Sequence, residues 1–96
     1  MAQIKELRQK AKVLDPIVRI GKNGMTEGVI TQIDKVLAKR ELVKIKFLRA
    51  FVEENDRKKT GKKLADRLKA KLIEQVGFIV VLYRPKTLTQ NNRKTA

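Results

Sequence analysis

The chain has no cysteine, no histidine, no tryptophan and no serine. Without cysteine there can be no disulfide, which suits a reducing compartment. Without cysteine or histidine the usual zinc and iron–sulfur ligands are missing, so no metal site and no cofactor is expected. Nucleophilic catalysis by Ser, Cys or His is excluded, and general acid–base work would fall to Asp, Glu, Lys or Tyr. The acidic side chains are scattered over expected helix faces and turns, and no carboxylate pair sits in an apolar run. No catalytic residue is therefore assigned, and a non-enzymatic protein is expected. Aromatics are scarce too: Phe47, Phe51, Phe78 and Tyr83. The core must be built mostly from Ile, Leu and Val. No apolar run approaches the roughly 20 residues of a membrane span. The start, Met1-Ala2-Gln3-Ile4-Lys5-Glu6, lacks the apolar centre of a secretory signal. A cytoplasmic protein without a membrane partner is the expectation.

What the chain does have is positive charge: Lys and Arg number 24 against 10 Asp and Glu, a formal net charge of +14. Such an excess attracts polyanions at long range, with nucleic acid ahead of an anionic membrane surface. The length of 96 residues fits one domain, and a hydrophobic fraction of 42% is that of a globular protein rather than a basic tail.

Periodicity gives the order of elements. Ile4, Leu7, Ala11 and Leu14 recur at helical spacing with Lys and Arg between them, predicting a helix over 3–13. Asp15-Pro16 ends it. A short strand follows at 17–20, then the loop Gly21-Lys22-Asn23-Gly24. Val29, Ile33, Val36 and Leu37 form the stripe of a helix over 26–40, with Thr26 as N-cap and Glu27 in its first turn. Val43-Lys44-Ile45-Lys46-Phe47 alternates strictly. Its apolar side faces the core, and Lys44 and Lys46 face the other way on what reads as a wet, basic sheet face. Residues 50–56 are a connection. Asp56 is the expected cap of a third helix with Leu64, Leu68 and Leu72 as its stripe, ending at Gly77. The continuously apolar Phe78–Tyr83 reads as a strand covered on both faces. Strand–helix–strand order argues for parallel pairing with right-handed crossovers. If the first two strands are parallel, the glycine loop and Arg49 share one edge of the sheet.

The loop lies where a strand hands over to a helix. Glycine lets the main chain come close to a phosphate, and the helix N-terminus behind it favours an anion. Lys22 adds a mobile charge, and Asn23 can donate or accept towards a base or a 2′-hydroxyl. Taken alone, Gly-x-x-Gly is weak, because many such turns use glycine for backbone reasons only. The spacing fits neither a P-loop nor a dinucleotide fingerprint.

Three segments together are far more specific: Leu14-Asp15-Pro16-Ile17-Val18-Arg19-Ile20-Gly21-Lys22-Asn23-Gly24-Met25-Thr26-Glu27-Gly28-Val29, Glu41-Leu42-Val43-Lys44-Ile45-Lys46 and Val81-Leu82-Tyr83-Arg84-Pro85. With them the chain resembles the CRM domain, the chloroplast RNA splicing and ribosome maturation module, in its small single-domain prokaryotic form. The resemblance runs from about Leu7 to Pro85. It implies an RNA-binding domain with a fold similar to the C-terminal domain of translation initiation factor three. It also implies that the loop Gly21 to Gly24 acts like the phosphate-contacting loop of KH domains. Bacterial members of the family associate with large-subunit precursors, and plant members assist intron splicing. The family has a strand and a tight turn before its final strand. Here the third helix reads as running almost directly into Val76-Gly77-Phe78, leaving that strand very short or missing.

The expectation is thus an α/β, two-layer domain over 1–86 with a polar tail over 87–96. It has three helices and a small mixed sheet of three to four strands, in the order α-β-α-β-α-β(-β). RNA is the expected partner, ribosomal RNA or a large ribosomal subunit precursor first, with the chain a monomer. The candidate RNA-binding residues are Gly21, Lys22, Asn23, Gly24, Lys44, Lys46, Arg49 and Arg84. Lys44 and Lys46 have an alternative as an ordinary solvated strand face, and Arg84 as the partner of an acidic side chain at the end of the sheet. Phe47, Phe78 and Tyr83 read as core rather than as base-stacking rings. The alternatives in function are a chromatin-type DNA-binding protein on a similar scaffold, an RNA splicing or folding cofactor and, least in keeping with the composition, a nuclease.

Overall fold

A computed structural model of the chain describes residues 4–53 and 55–85; the proposed tail over 87–96 lies outside them. Eight elements follow in order: α1 (Ile4–Lys12), β1 (Val18–Ile20), α2 (Glu27–Arg40), β2 (Leu42–Phe47), α3 (Arg49–Val52), α4 (Arg57–Arg67), β3 (Lys71–Val76) and β4 (Ile79–Tyr83). They form a four-stranded sheet in the order β1-β2-β4-β3. β1 pairs parallel with β2, Val18 opposite Ile45 and Ile20 opposite Phe47. β4 runs antiparallel to both of its neighbours. The expected parallel pairing therefore holds for the first two strands and fails for the last, because β3 and β4 form a hairpin.

That hairpin corrects the reading of Leu72 and Gly77. α4 stops at Arg67, ten residues before Gly77, and Leu72 belongs to the six-residue strand β3. The helix closes by a Schellman arrangement: Ala70 N donates to Ala65 O at 2.8 Å and Lys69 N to Asp66 O at 3.3 Å. The left-handed position is held by Lys69, at φ 55°, where glycine is the usual signal. Gly77 lies instead in the hairpin turn. A further helix, α3, occupies part of what reads as a plain connection.

One core lies between the sheet and α2 with α4. Val18, Ile20, Val43, Ile45, Phe47, Val80 and Leu82 meet Ile33, Leu37 and Leu64 there, all essentially inaccessible. Burial of each such side chain contributes about 1.5–3 kcal/mol. A second, smaller core lies on the opposite face, where Leu7 and Ala11 of α1 cover Leu42, Ile73 and Val81. β4 is apolar throughout because it serves both cores. The two-layer architecture thus holds along the end of the sheet that carries the loop, and α1 adds a third layer over the remainder.

Candidate nucleic-acid interface

β1 and β2 end side by side, and Leu48 N extends their pairing by donating to Ile20 O at 2.8 Å. The chain then turns at Gly21 to Gly24, closed by Gly24 N donating to Gly21 O at 2.9 Å. Lys22 and Asn23 occupy the two central positions and are exposed. Each glycine has its own reason. Gly24 sits at φ +71°, and a Cβ on Gly21 would come within 3.2 Å of Leu48 Cδ1. The floor of the loop is firm, since buried Phe51 stacks on Phe47 with ring centroids 5.2 Å apart.

Behind the turn, Thr26 caps α2: its hydroxyl accepts from Val29 N at 3.2 Å, and its carbonyl accepts from Ile30 N at 3.0 Å. The amides of Glu27 and Gly28 precede that first intrahelical bond and lie at the mouth of the helix. The Glu27 carboxylate, which would repel an anion there, is paired across to Arg67 of α4 at 2.5 Å. Arg49 opens α3 directly after Leu48 and is exposed at the same edge. Lys46 points to the sheet face away from α2 and is also exposed. Its neighbour on β1 is Arg19, directly opposite it and exposed. Arg19 escapes a reading of the sequence that looks for charge clusters. The signal for it is alternation, since it stands between Val18 and Ile20 as Lys46 stands between Ile45 and Phe47.

Two of the proposed RNA contacts are placed elsewhere. Lys44 is half-buried under α1, and its ammonium donates to Ala11 O at 3.1 Å and Leu14 O at 3.2 Å. It closes the C-terminal end of that helix, where carbonyls and the dipole favour a cation. The basic face read from the Lys44–Lys46 alternation is therefore wet only at Lys46. Arg84 is 5% exposed. Its guanidinium donates to Asp34 Oδ1 at 2.8 Å, Leu68 O at 2.9 Å and Asp34 O at 3.1 Å, tying the end of β4 to α2 and α4. Its role here is that of the ion pair at the end of the sheet, and its charge is turned inward.

The arrangement offers mobile cations, exposed main chain and an amide at one edge, which suits a phosphodiester backbone. The described residues contain no group of His, Cys, Asp and Glu that could hold a metal ion.

Comparison with known proteins identifies the family and the fold. The family model of the CRS1 / YhbY (CRM) domain matches residues 1–84. A Methanocaldococcus jannaschii protein named probable RNA-binding protein MJ0652 is 38% identical over 80 residues, which are 83% of this chain and 59% of that protein. An RNA-binding protein of Haemophilus influenzae is 35% identical over 79 residues, 82% of this chain and 78% of its own length. The chain thus spans less than two thirds of the archaeal relative. The solution structure of the hypothetical protein SAV1595 from Staphylococcus aureus superposes with a TM-score of 0.72 at 36% identity, covering 86% of this chain and 84% of that one.

Proposed function

The chain belongs to the CRS1 / YhbY (CRM) domain family, and from that premise we propose that it is a non-enzymatic RNA-binding protein that grips the RNA backbone at the Gly21–Gly24 turn. The observation that carries this reading is the turn itself: Lys22 and Asn23 are held outward over a packed floor, at the mouth of α2. Arg49 and Lys46 add phosphate neutralisation beside it. Most of the affinity is electrostatic, so binding falls steeply with salt. The names of the relatives, RNA-binding proteins in archaea and bacteria, support RNA over DNA as the partner. The target within this reading is ribosomal RNA in a large-subunit precursor, with the chain acting as a cytoplasmic monomer in ribosome maturation.

Sedimentation of cell lysate at low and moderate salt tests the target. Co-migration with large-subunit particles or their precursors is the expected result. A protein that stays at the top, or follows DNA, removes the ribosomal role. Binding of purified RNA, with duplex DNA as competitor, tests the broader statement.

A further inference from the structure

α1 covers only part of its side of the sheet, and one row of side chains crosses all the strands on the part nearest the loop. Arg19 faces Lys46, Lys46 faces Ile79, and Ile79 faces Val76. The β1–β2 half of the row is cationic and exposed; the β4–β3 half is aliphatic. Val76 is 63% exposed, unusual for a valine whose neighbours in the strand are engaged, and Ile79 is half-buried. Below them opens a shallow groove of about 300 Å³, lined by Ala11, Lys12, Lys44, Glu74, Val76 and Ile79. The row is continuous with the loop, because Arg19 lies in β1 two residues before Gly21, where the turn begins.

We propose that this strip carries a single-stranded RNA segment leaving the Gly21–Gly24 turn, with its phosphates along Arg19 and Lys46 and its bases over Ile79 and Val76. The proposal rests on the RNA-binding reading above and adds the strandedness and the second contact surface. Charge complementarity selects the occupant: two exposed cations stand on the loop side, in a chain of net charge +14. Duplex RNA hides its base faces and has no use for an aliphatic patch, whereas unpaired bases present theirs. Glu74 fixes the polarity. A carboxylate on the β3 side of the groove repels phosphate but accepts a hydrogen bond from an exocyclic base amine. The bases therefore lie on the β4–β3 half and the backbone on the β1–β2 half. With aliphatic side chains where aromatic rings commonly stack bases, the strip holds bases loosely and with little sequence preference.

The test is fluorescence anisotropy of the full chain with a labelled single-stranded RNA of about 12 nucleotides, a length within the span of one small binding domain, and with a duplex of the same strand. In Arg19→Ala/Lys46→Ala, single-strand affinity falls about tenfold and the slope of log K against log salt drops by about 1.4, two contacts' worth. Val76→Ser, at an exposed position, lowers single-strand affinity about threefold, leaves the salt slope unchanged and leaves duplex binding as it was. Photo-crosslinking of RNA carrying 4-thiouridine places adducts on the peptide spanning β3 and β4. Equal losses for single strand and duplex in the double variant, or adducts confined to the loop, overturn the strip. So does full single-strand affinity in both variants when Lys22→Ala is weakened. Absence of RNA affinity in the unaltered chain instead overturns the RNA-binding reading itself.

Discussion

The two ends of the sheet use their cations in opposite ways. At the end where β4 finishes, Arg84 is buried and its guanidinium is shared among Asp34 and the carbonyl of Leu68. Lys44, further along the sheet, gives its ammonium to the last carbonyls of α1. At the loop end, Lys22, Arg49, Lys46 and Arg19 all reach solvent. The acids do not divide in this way and are engaged at both ends. Asp34 pairs with the buried Arg84, and the loop-end acids Glu27 and Asp56 are engaged by Arg67 and by the first amides of α4. The difference teaches that net charge is a poor map of an interface. What matters is which cations the fold has already given a partner.

The largest effect comes from removing the buried cation. Arg84→Met deletes three hydrogen bonds, strands the Leu68 carbonyl and leaves Asp34 without its ion pair. Urea denaturation should show a loss of about 3 kcal/mol, while the folded fraction keeps its RNA affinity. A variant of normal stability with weakened RNA binding would reverse the assignment of Arg84 and break the contrast between the ends. Lys44→Met is the milder form of the same experiment. The stem still packs under α1, but two carbonyls lose a charged donor, for a loss of about 1.5 kcal/mol. Its RNA affinity should stay within twofold of the unaltered chain by anisotropy, because its ammonium is already given to the carbonyls of α1.

At the other end the expected change is in binding alone. Lys22 is exposed at the tip of the turn, outside both cores. Lys22→Ala should leave the urea midpoint unchanged and weaken RNA binding about fivefold, with the salt slope reduced by about 0.7–0.9 for one lost phosphate contact. Unchanged affinity would sink the loop as the site.

Much of this is legible in the sequence. Thr26, Glu27 and the stripe Val29, Ile33, Val36 and Leu37 placed α2 within a residue, because cap and periodicity agree. The loop followed from its position between two well-marked elements. β3 was hidden because its boundary is written in an unusual residue. Lys69 takes the left-handed position, so Leu64, Leu68 and Leu72 read as one helical stripe that in fact spans two elements. Lys44 and Lys46 are indistinguishable by alternation. Only the path of α1, which covers one and stops short of the other, separates them. Arg84 shows the same limit, since its acid partner lies 50 positions away on α2. Local pattern reports which side of a strand a residue faces, but not what the rest of the chain lays over that side.

The smallest effect concerns the capping acid at the loop end. Asp56 Oδ1 accepts from Lys58 N at 2.9 Å and Lys59 N at 3.2 Å, starting α4 beside the hairpin turn where Arg57 lies over the Phe78 ring. The backbone bond from Lys59, then that from Lys58, with help from the two lysine charges, holds its carboxyl below the ordinary aspartate value. The folded state thus binds this proton less readily than the unfolded chain does. The contribution is fully present above the unfolded-chain value and is lost as pH falls through the depressed folded one. Because the group is exposed, salt weakens the charged part of it. Urea midpoints followed from neutral pH down through the carboxylate range should therefore fall more steeply for the unaltered chain than for Asp56→Asn. The amide oxygen of that variant still accepts from α4 but does not titrate. The gap between the two should narrow at the acid end and again in high salt. Parallel curves would mean that Asp56 is not held by the helix it starts. It would then be an unengaged acid among the loop-end cations, and the engagement of acids at both ends would no longer hold.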